Sequence, residues 1–142
     1  MKTQPVEWLA ERLRIDDRGD AFLIGMRCNE CHAIVFPKSG LCPACTSEAT
    51  KLHEWRNPQG KVWSFSVVFE SYGNVIGLTP PYAVAFIELE GGGYVQSILL
   101  DLEGTLPTIG MGVGMDLLPV SQTGNTKEVV YVFKPSQRKG DV

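Results

Sequence analysis

RCNECHAIVFPKSGLCPACTS, residues 27–47, is the stretch from which the fold can be read. Cys28, Cys31, Cys42 and Cys45 are the chain's four cysteines, spaced C-x2-C, ten residues, C-x2-C. Each C-x2-C is expected to make a tight knuckle whose two sulfurs point at one metal. The gap is long enough for a hairpin that brings the knuckles together. Four thiolates in a tetrahedron suit zinc, with iron as the second choice. A fully ligated ion has no open position for substrate, so its expected role is to fold the module. Disulfides would suit a secreted chain, and a redox C-x-x-C is usually single and beside a βαβ pattern. His32, next to Cys31, is expected to be a left-handed turn residue and not a replacement ligand.

Working outward, the ribbon should run from about Leu23 to His53. Before it, Pro5–Leu13 (PVEWLAERL) reads as a short amphipathic helix, with Val6, Leu9 and Leu13 on one face. That stripe could pack at home or dock on a partner. After the ribbon the period changes to two. Strands are expected at Lys61–Phe69, Tyr82–Leu89, Tyr94–Leu100, Gly112–Val120 (centred on Met115–Leu118) and Lys127–Phe133. Gly91–Gly93 and Gly124–Asn125 are the turns, and 101–111 is a long connection. This order suits a five-stranded Greek-key barrel of OB type, with an SH3-like barrel as the alternative. The expected division is an N-terminal helical segment (1–22), a zinc ribbon (23–56), an OB-fold (57–135) and a polar tail (136–142).

The 142 residues, 44% apolar and 20% charged, bound this as one domain or two small modules of a folded protein. The longest charge-free stretch, Ser71–Ile87, is broken by Gly73, Gly77 and Pro80–Pro81, so no membrane span is expected. The opening MKTQPVEWLAERLR lacks an apolar signal-type core, and the expected location is the cytoplasm. The net charge is −3, and residues 62–126 contain no Lys or Arg. A phosphate-backbone surface needs clustered cations, which argues against nucleic acid as the partner of this middle region.

A catalytic centre is hard to find. The chain has no G-x-S-x-G, H-E-x-x-H or P-loop. Gly110-Met-Gly-Val-Gly114 precedes a strand and has the wrong spacing for a dinucleotide fingerprint. Glu88 and Glu90 share one strand face, as solvent-facing acids do. No catalytic residue is assigned. The uncharged segment Glu70–Pro81 would lie near the ligand face of an OB barrel. Its Tyr72, Val75, Ile76 and Leu78 either fold back onto the barrel or meet a protein or acyl ligand.

The ordered set of motifs resembles a known family. It comprises the C-x2-C…C-P-x-C ribbon with Phe36-Pro37 between the knuckles, Gly60-x-Val62-x-Ser64-Phe65-x-Val67-Val68, Pro81-Tyr82-x-Val84-Ala85, Glu88-Leu89-Glu90, Ile109-Gly110-Met111 and Phe133-x-Pro135. Over nearly its whole length the chain is similar to rubredoxin-like zinc-ribbon plus OB-fold proteins associated with acyl-CoA metabolism. The resemblance implies a non-catalytic subunit in a hetero-oligomer with a thiolase-fold enzyme. Such enzymes include acetoacetyl-CoA thiolase with its synthase partner, thiolase-like acyltransferases and steroid side-chain aldolases. Another relative is the small subunit of benzoylsuccinyl-CoA thiolase, from a degradation pathway.

By the same resemblance the partner carries the catalytic cysteine and histidines, and activity would be C–C bond cleavage or formation on acyl-CoA. Candidate partner or acyl-CoA contacts are Phe36, Pro37, Arg56, Tyr72, Val75, Ile76, Leu78, Pro80, Pro81 and Tyr82. CoA phosphates could use Arg27, Lys38, Lys51 or Arg56, or Lys134, Arg138 and Lys139 in the tail. Family members usually have Gly after the second Cys, where this chain has His32. The alternative function is a single-strand nucleic-acid binder, since the three Trp, four Tyr and six Phe supply stacking surface. An independent enzyme is the third possibility.

Overall fold

The computed structural model describes residues 2–70 and 78–136. Among these, ten strands form two sheets. The first five are β1 (Lys2–Pro5), β2 (Leu13–Ile15), β3 (Ala21–Cys28), β4 (Ile34–Val35) and β5 (Thr50–Arg56). The others are β6 (Gln59–Val68), β7 (Tyr82–Leu89), β8 (Tyr94–Leu99), β9 (Gly112–Thr123) and β10 (Thr126–Pro135). No helix among the described residues is long and apolar enough to cross a membrane.

The last five strands close into a barrel. β6, β7 and β8 run as an antiparallel meander, β9 pairs with both β6 and β10, and β10 returns parallel to β8. Strict alternation drives this: Ala83, Ala85, Ile87 and Leu89 face inward, opposite Val95, Ser97 and Leu99. Gly91, Gly92 and Gly93 all have positive φ and make the hairpin tight. β9 covers the expected Gly112–Val120 and runs three residues further, to Thr123. Pairing to β6 and to β10 carries it across Gly112 and Gly114, residues of poor β propensity. Pro119 is tolerated because it sits where the β9–β10 register shifts, at a bulge.

The N-terminal stretch contradicts the expected helix. It is β1, then a single 3-10 turn at Glu7–Leu9, then β2. β8 meets β10 at one register position only, Phe133–Leu99, so Thr126–Val129 of β10 is left with an open edge. β1 fills that edge in parallel, and Val6 N–H donates to the Val129 carbonyl at 3.0 Å. The apolar spacing is satisfied all the same. Val6 and Leu9 eclipse across the 3-10 turn, Leu13 follows on β2, and all three are buried. An isolated helix of this length is marginal, so the ladder wins.

The ribbon sheet has β3 at its centre, with β2 and β4 on one edge and β5 along the other. Its base shares one core with the barrel: Leu13, Leu23 and Trp55 cluster with Ile87, Val95, Val132 and Phe133. Trp55 is the junction. Its Nε1–H donates to the Gly92 carbonyl on the β7–β8 hairpin at 2.9 Å. A Cβ on Gly93 would lie 2.8 Å from its ring, and one on Gly25 would lie 2.6 Å from it and strike the Val35 carbonyl. The indole is thus gripped between a ribbon glycine and a barrel glycine. Phe36 packs edge-on against it, with ring centroids 5.9 Å apart, and also against Tyr131 at 6.3 Å.

Gly25→Ala is expected to destabilise the protein by about 1–3 kcal/mol through overpacking. Gly40→Ala, with nothing within 4 Å of the new Cβ, is the control and should be near neutral. Equal urea midpoints for the two variants would contradict the glycine–indole junction.

Candidate metal centre

The two knuckles are built alike. Cys28 N–H donates to the Ala33 carbonyl and Cys42 N–H to the Ser47 carbonyl, both at 2.9 Å. His32 and Thr46, each just after the second cysteine of its knuckle, have φ of 65° and 64°. His32 is therefore the expected left-handed turn residue. Thr46 is the less expected one, since a β-branched residue rarely adopts that backbone.

Cys28 ends β3, and the second knuckle is held by Asn29 N–H donating to the Ala49 carbonyl just before β5. The knuckles face each other, so that Cys28 Sγ lies 3.5 Å from Cys45 Sγ and Cys31 Sγ 3.6 Å from Cys42 Sγ. All four sulfurs lie within 4.8 Å of one another, and among the described residues this is the cluster that could hold a metal ion. Cys28 and Cys42 are buried, whereas Cys31 and Cys45 are exposed. A tetrahedral ion with metal–sulfur bonds of about 2.3 Å needs sulfurs about 3.8 Å apart, which this set nearly provides.

The electrostatics also favour a cation. The Cys31 backbone N–H, then that of Glu30, donate to Cys28 Sγ and lower its thiol to about 6. Ser47 N–H lowers Cys45 in the same way, but the neighbouring Cys28 and Cys31 sulfurs outweigh it and push this thiol up to about 12. Four sulfurs this close cannot all ionise without a counter-charge, and a divalent ion at their centre removes the conflict.

The structure scatters the expected contact residues. Leu78, Pro81 and Tyr82 line one groove of about 350 Å³ with Leu100, Leu102 and Leu106, and Pro80 adjoins it. Tyr72, Val75 and Ile76 lie outside the described residues, as do Arg138 and Lys139. Phe36 is packing at the ribbon–barrel junction, and Pro37 beside it is exposed.

Arg56 is already engaged. It pairs with Asp16 and Glu54 at 3.3 Å each and lies 3.9 Å above the Phe22 ring. Lys134 is held by Asp116 at 2.9 Å and Asp101 at 3.5 Å. Arg27 and Lys51 sit directly opposite each other on β3 and β5, with no ion pair among the described residues. Burial, then the Arg27 charge, pushes nearby His53 below the usual imidazole range. Trp55 was not singled out from the sequence, because its grip needs two glycines, Gly25 and Gly93, each thirty or more residues from it along the chain.

No family model matches the chain. It is 31% identical over 113 residues to a DUF35 domain-containing scaffold protein of Methanocaldococcus jannaschii, covering 79% of each. A protein of the same description from Methanothermobacter thermautotrophicus is 32% identical over 113 residues, 79% of this chain and 84% of that one. Benzoylsuccinyl-CoA thiolase subunit BbsA of Thauera aromatica is 32% identical over 68 residues, 48% of this chain and 44% of that protein. Among solved structures, a chain of the Ltp2-ChsH2(DUF35) aldolase superposes with a TM-score of 0.63 at 27% identity, covering 80% of this chain and 84% of that one.

Cys42→Ser is expected to abolish the thiolate-to-cobalt absorption seen when the wild-type chain is titrated with cobalt(II), while the barrel's far-ultraviolet signal persists. Affinity for the ion should fall as pH is lowered from about 8 to about 5.5, because protons compete for all four sulfurs. Unaltered cobalt spectra in the variant would exclude the site.

Proposed function

Because this chain belongs to the family of DUF35 domain-containing scaffold proteins, we propose that it is the non-catalytic subunit of a thiolase-type acyl-CoA enzyme. The observation that carries this is the extent of the likeness, which spans 79–80% of the chain in both the scaffold relatives and the aldolase chain. One relative is by name a thiolase subunit and another is part of an aldolase assembly.

In this proposal the ion is a structural zinc held by Cys28, Cys31, Cys42 and Cys45. Its chemistry is to cross-link two knuckles, and the exposed thiols become ligands instead of nucleophiles. The barrel is of OB type, the ribbon module spans 23–56 and the barrel module 57–135. The catalytic residues belong to the partner, and this chain supports assembly and the acyl-CoA passage. Of the candidate cations for CoA phosphates, Arg27 and Lys51 support the reading better than Arg56 or Lys134, which already have acid partners. The apolar groove at Leu78, Pro81 and Tyr82 is where an acyl contact would fall. The cytoplasm is the expected compartment.

Single-strand nucleic-acid binding draws support from the exposed rings of Trp63, Phe86 and Tyr94. Against it, the strand that carries Phe86 also carries Glu88, and residues 62–126 hold no Lys or Arg.

A tagged chain expressed in its native host should retain a thiolase-fold protein in fixed ratio. Reconstituted from purified parts, that protein should lose at least about tenfold of its acyl-CoA turnover, or its stability, when this chain is omitted. A thiolase-fold protein fully active alone, or none retained, overturns the proposal.

A further inference from the structure

Where β8 and β10 diverge, the barrel wall leaves a groove of about 240 Å³. Its floor and sides are Val84 on β7, Ile98 on β8 and Val130 and Tyr131 on β10, with Trp8 from the 3-10 turn forming one wall. Trp8 is 62% exposed. Arg12 stands on the lip and forms no ion pair among the described residues. The apolar surface continues beyond the groove. Val84 faces Ile98 across the strands and Phe86 faces Gln96 on the same outer side, then Tyr94 packs edge-on against Trp63 at 5.8 Å.

Three properties define an occupant. Trp8, Trp63, Phe86 and Tyr94 are each about half exposed, leaving roughly 400 Å² of aromatic surface, as much as a monomer's largest patch usually holds. β8 has a strand partner along β7, but on its other edge it meets β10 at Leu99 alone. Apart from the Gln96 carbonyl, which accepts from the Tyr131 hydroxyl at 3.2 Å, its edge from Tyr94 to Ile98 meets no β10 strand partner and is open to another backbone. The guanidinium of Arg12 is the one positive group at an otherwise uncharged groove, so it favours a carboxylate. Lipid or acyl chains would use the apolar area but not the strand edge. A phosphate strand would be repelled by Glu88 on the same face.

We propose that this groove and the adjoining β7–β8 face dock a segment of the partner protein that presents apolar side chains and an Asp or Glu to Arg12. The identity of the partner rests on the accessory-subunit reading above; the position of the interface does not follow from it.

The test uses the thiolase-fold subunit retained by the native chain, purified and titrated against full-length variants by calorimetry. Trp8→Ala and Phe86→Ser should each weaken the complex about thirty-fold, as buried aromatic anchors do. Arg12→Glu should weaken it at least tenfold, and an Asp or Glu→Lys change in the partner should restore it. Leu41→Ser, on the exposed ribbon tip, is the control and should bind like wild type. On complex formation, amide exchange should slow in residues 94–98. All four variants must melt within a few degrees of wild type, which their exposed positions predict. Wild-type affinity in the three face variants overturns the docking site and leaves the accessory-subunit reading standing. A subunit that binds no version of the chain overturns that reading. A chain that self-associates through this face, losing its dimer with Phe86→Ser, overturns the partner assignment.

Discussion

The grip on Trp55 is the constraint on which the molecule's shape depends. A ribbon of some thirty residues has little core of its own, and a barrel of this size has one. Joining them through a flexible link would leave the knuckles free to swing. Instead one indole is enclosed by Gly25 from the ribbon and Gly93 from the hairpin, and its N–H is tied to Gly92. Phe36 then wedges the inter-knuckle segment against the same ring and against Tyr131. The knuckle end of the ribbon is thus held in a fixed direction from the barrel.

The same economy explains the N-terminal stretch. Barrel closure through one β8–β10 register position leaves half of an edge unsatisfied, and unsatisfied backbone groups are costly when buried. β1 occupies that edge, and the 3-10 turn after it lays Leu9 into the core while leaving Trp8 outside. An apparent helical stripe is in fact a way of covering the weakest joint of the barrel.

How much was legible follows from where the information resides. The cysteine spacing specifies the knuckles locally, and both form as the spacing predicts. Tyr82–Leu89 and the two turns were readable because alternation and glycine act within a few residues. β9 was readable from Gly112 to Val120, and only its last three residues were missed, because polar Ser121, Gln122 and Thr123 are made a strand by their partners on β10. The Val6, Leu9, Leu13 spacing pointed to a helix because periodicity reports which residues are buried and not which backbone buries them. Arg56 was one of several candidate cations, and its pairing with Asp16, forty residues earlier, is invisible to any local pattern. Phe36 was singled out as a candidate partner contact, and its packing on Trp55 and Tyr131 was not legible because both partners are distant in sequence.

The asymmetry between the two knuckle sulfurs has a kinetic side. Each knuckle contributes one buried thiolate, Cys28 or Cys42, and one exposed, Cys31 or Cys45. A competing chelator can therefore approach only from the flank that carries Cys31 and Cys45. If the four sulfurs hold an ion as proposed, its exchange would pass through a half-released state still anchored by the two inner sulfurs, one from each knuckle. Such a state keeps the knuckles together while the outer coordination turns over. An ion held there could thus be traded with a cellular donor without the ribbon coming apart, and its release rate would depend on the concentration of the incoming ligand.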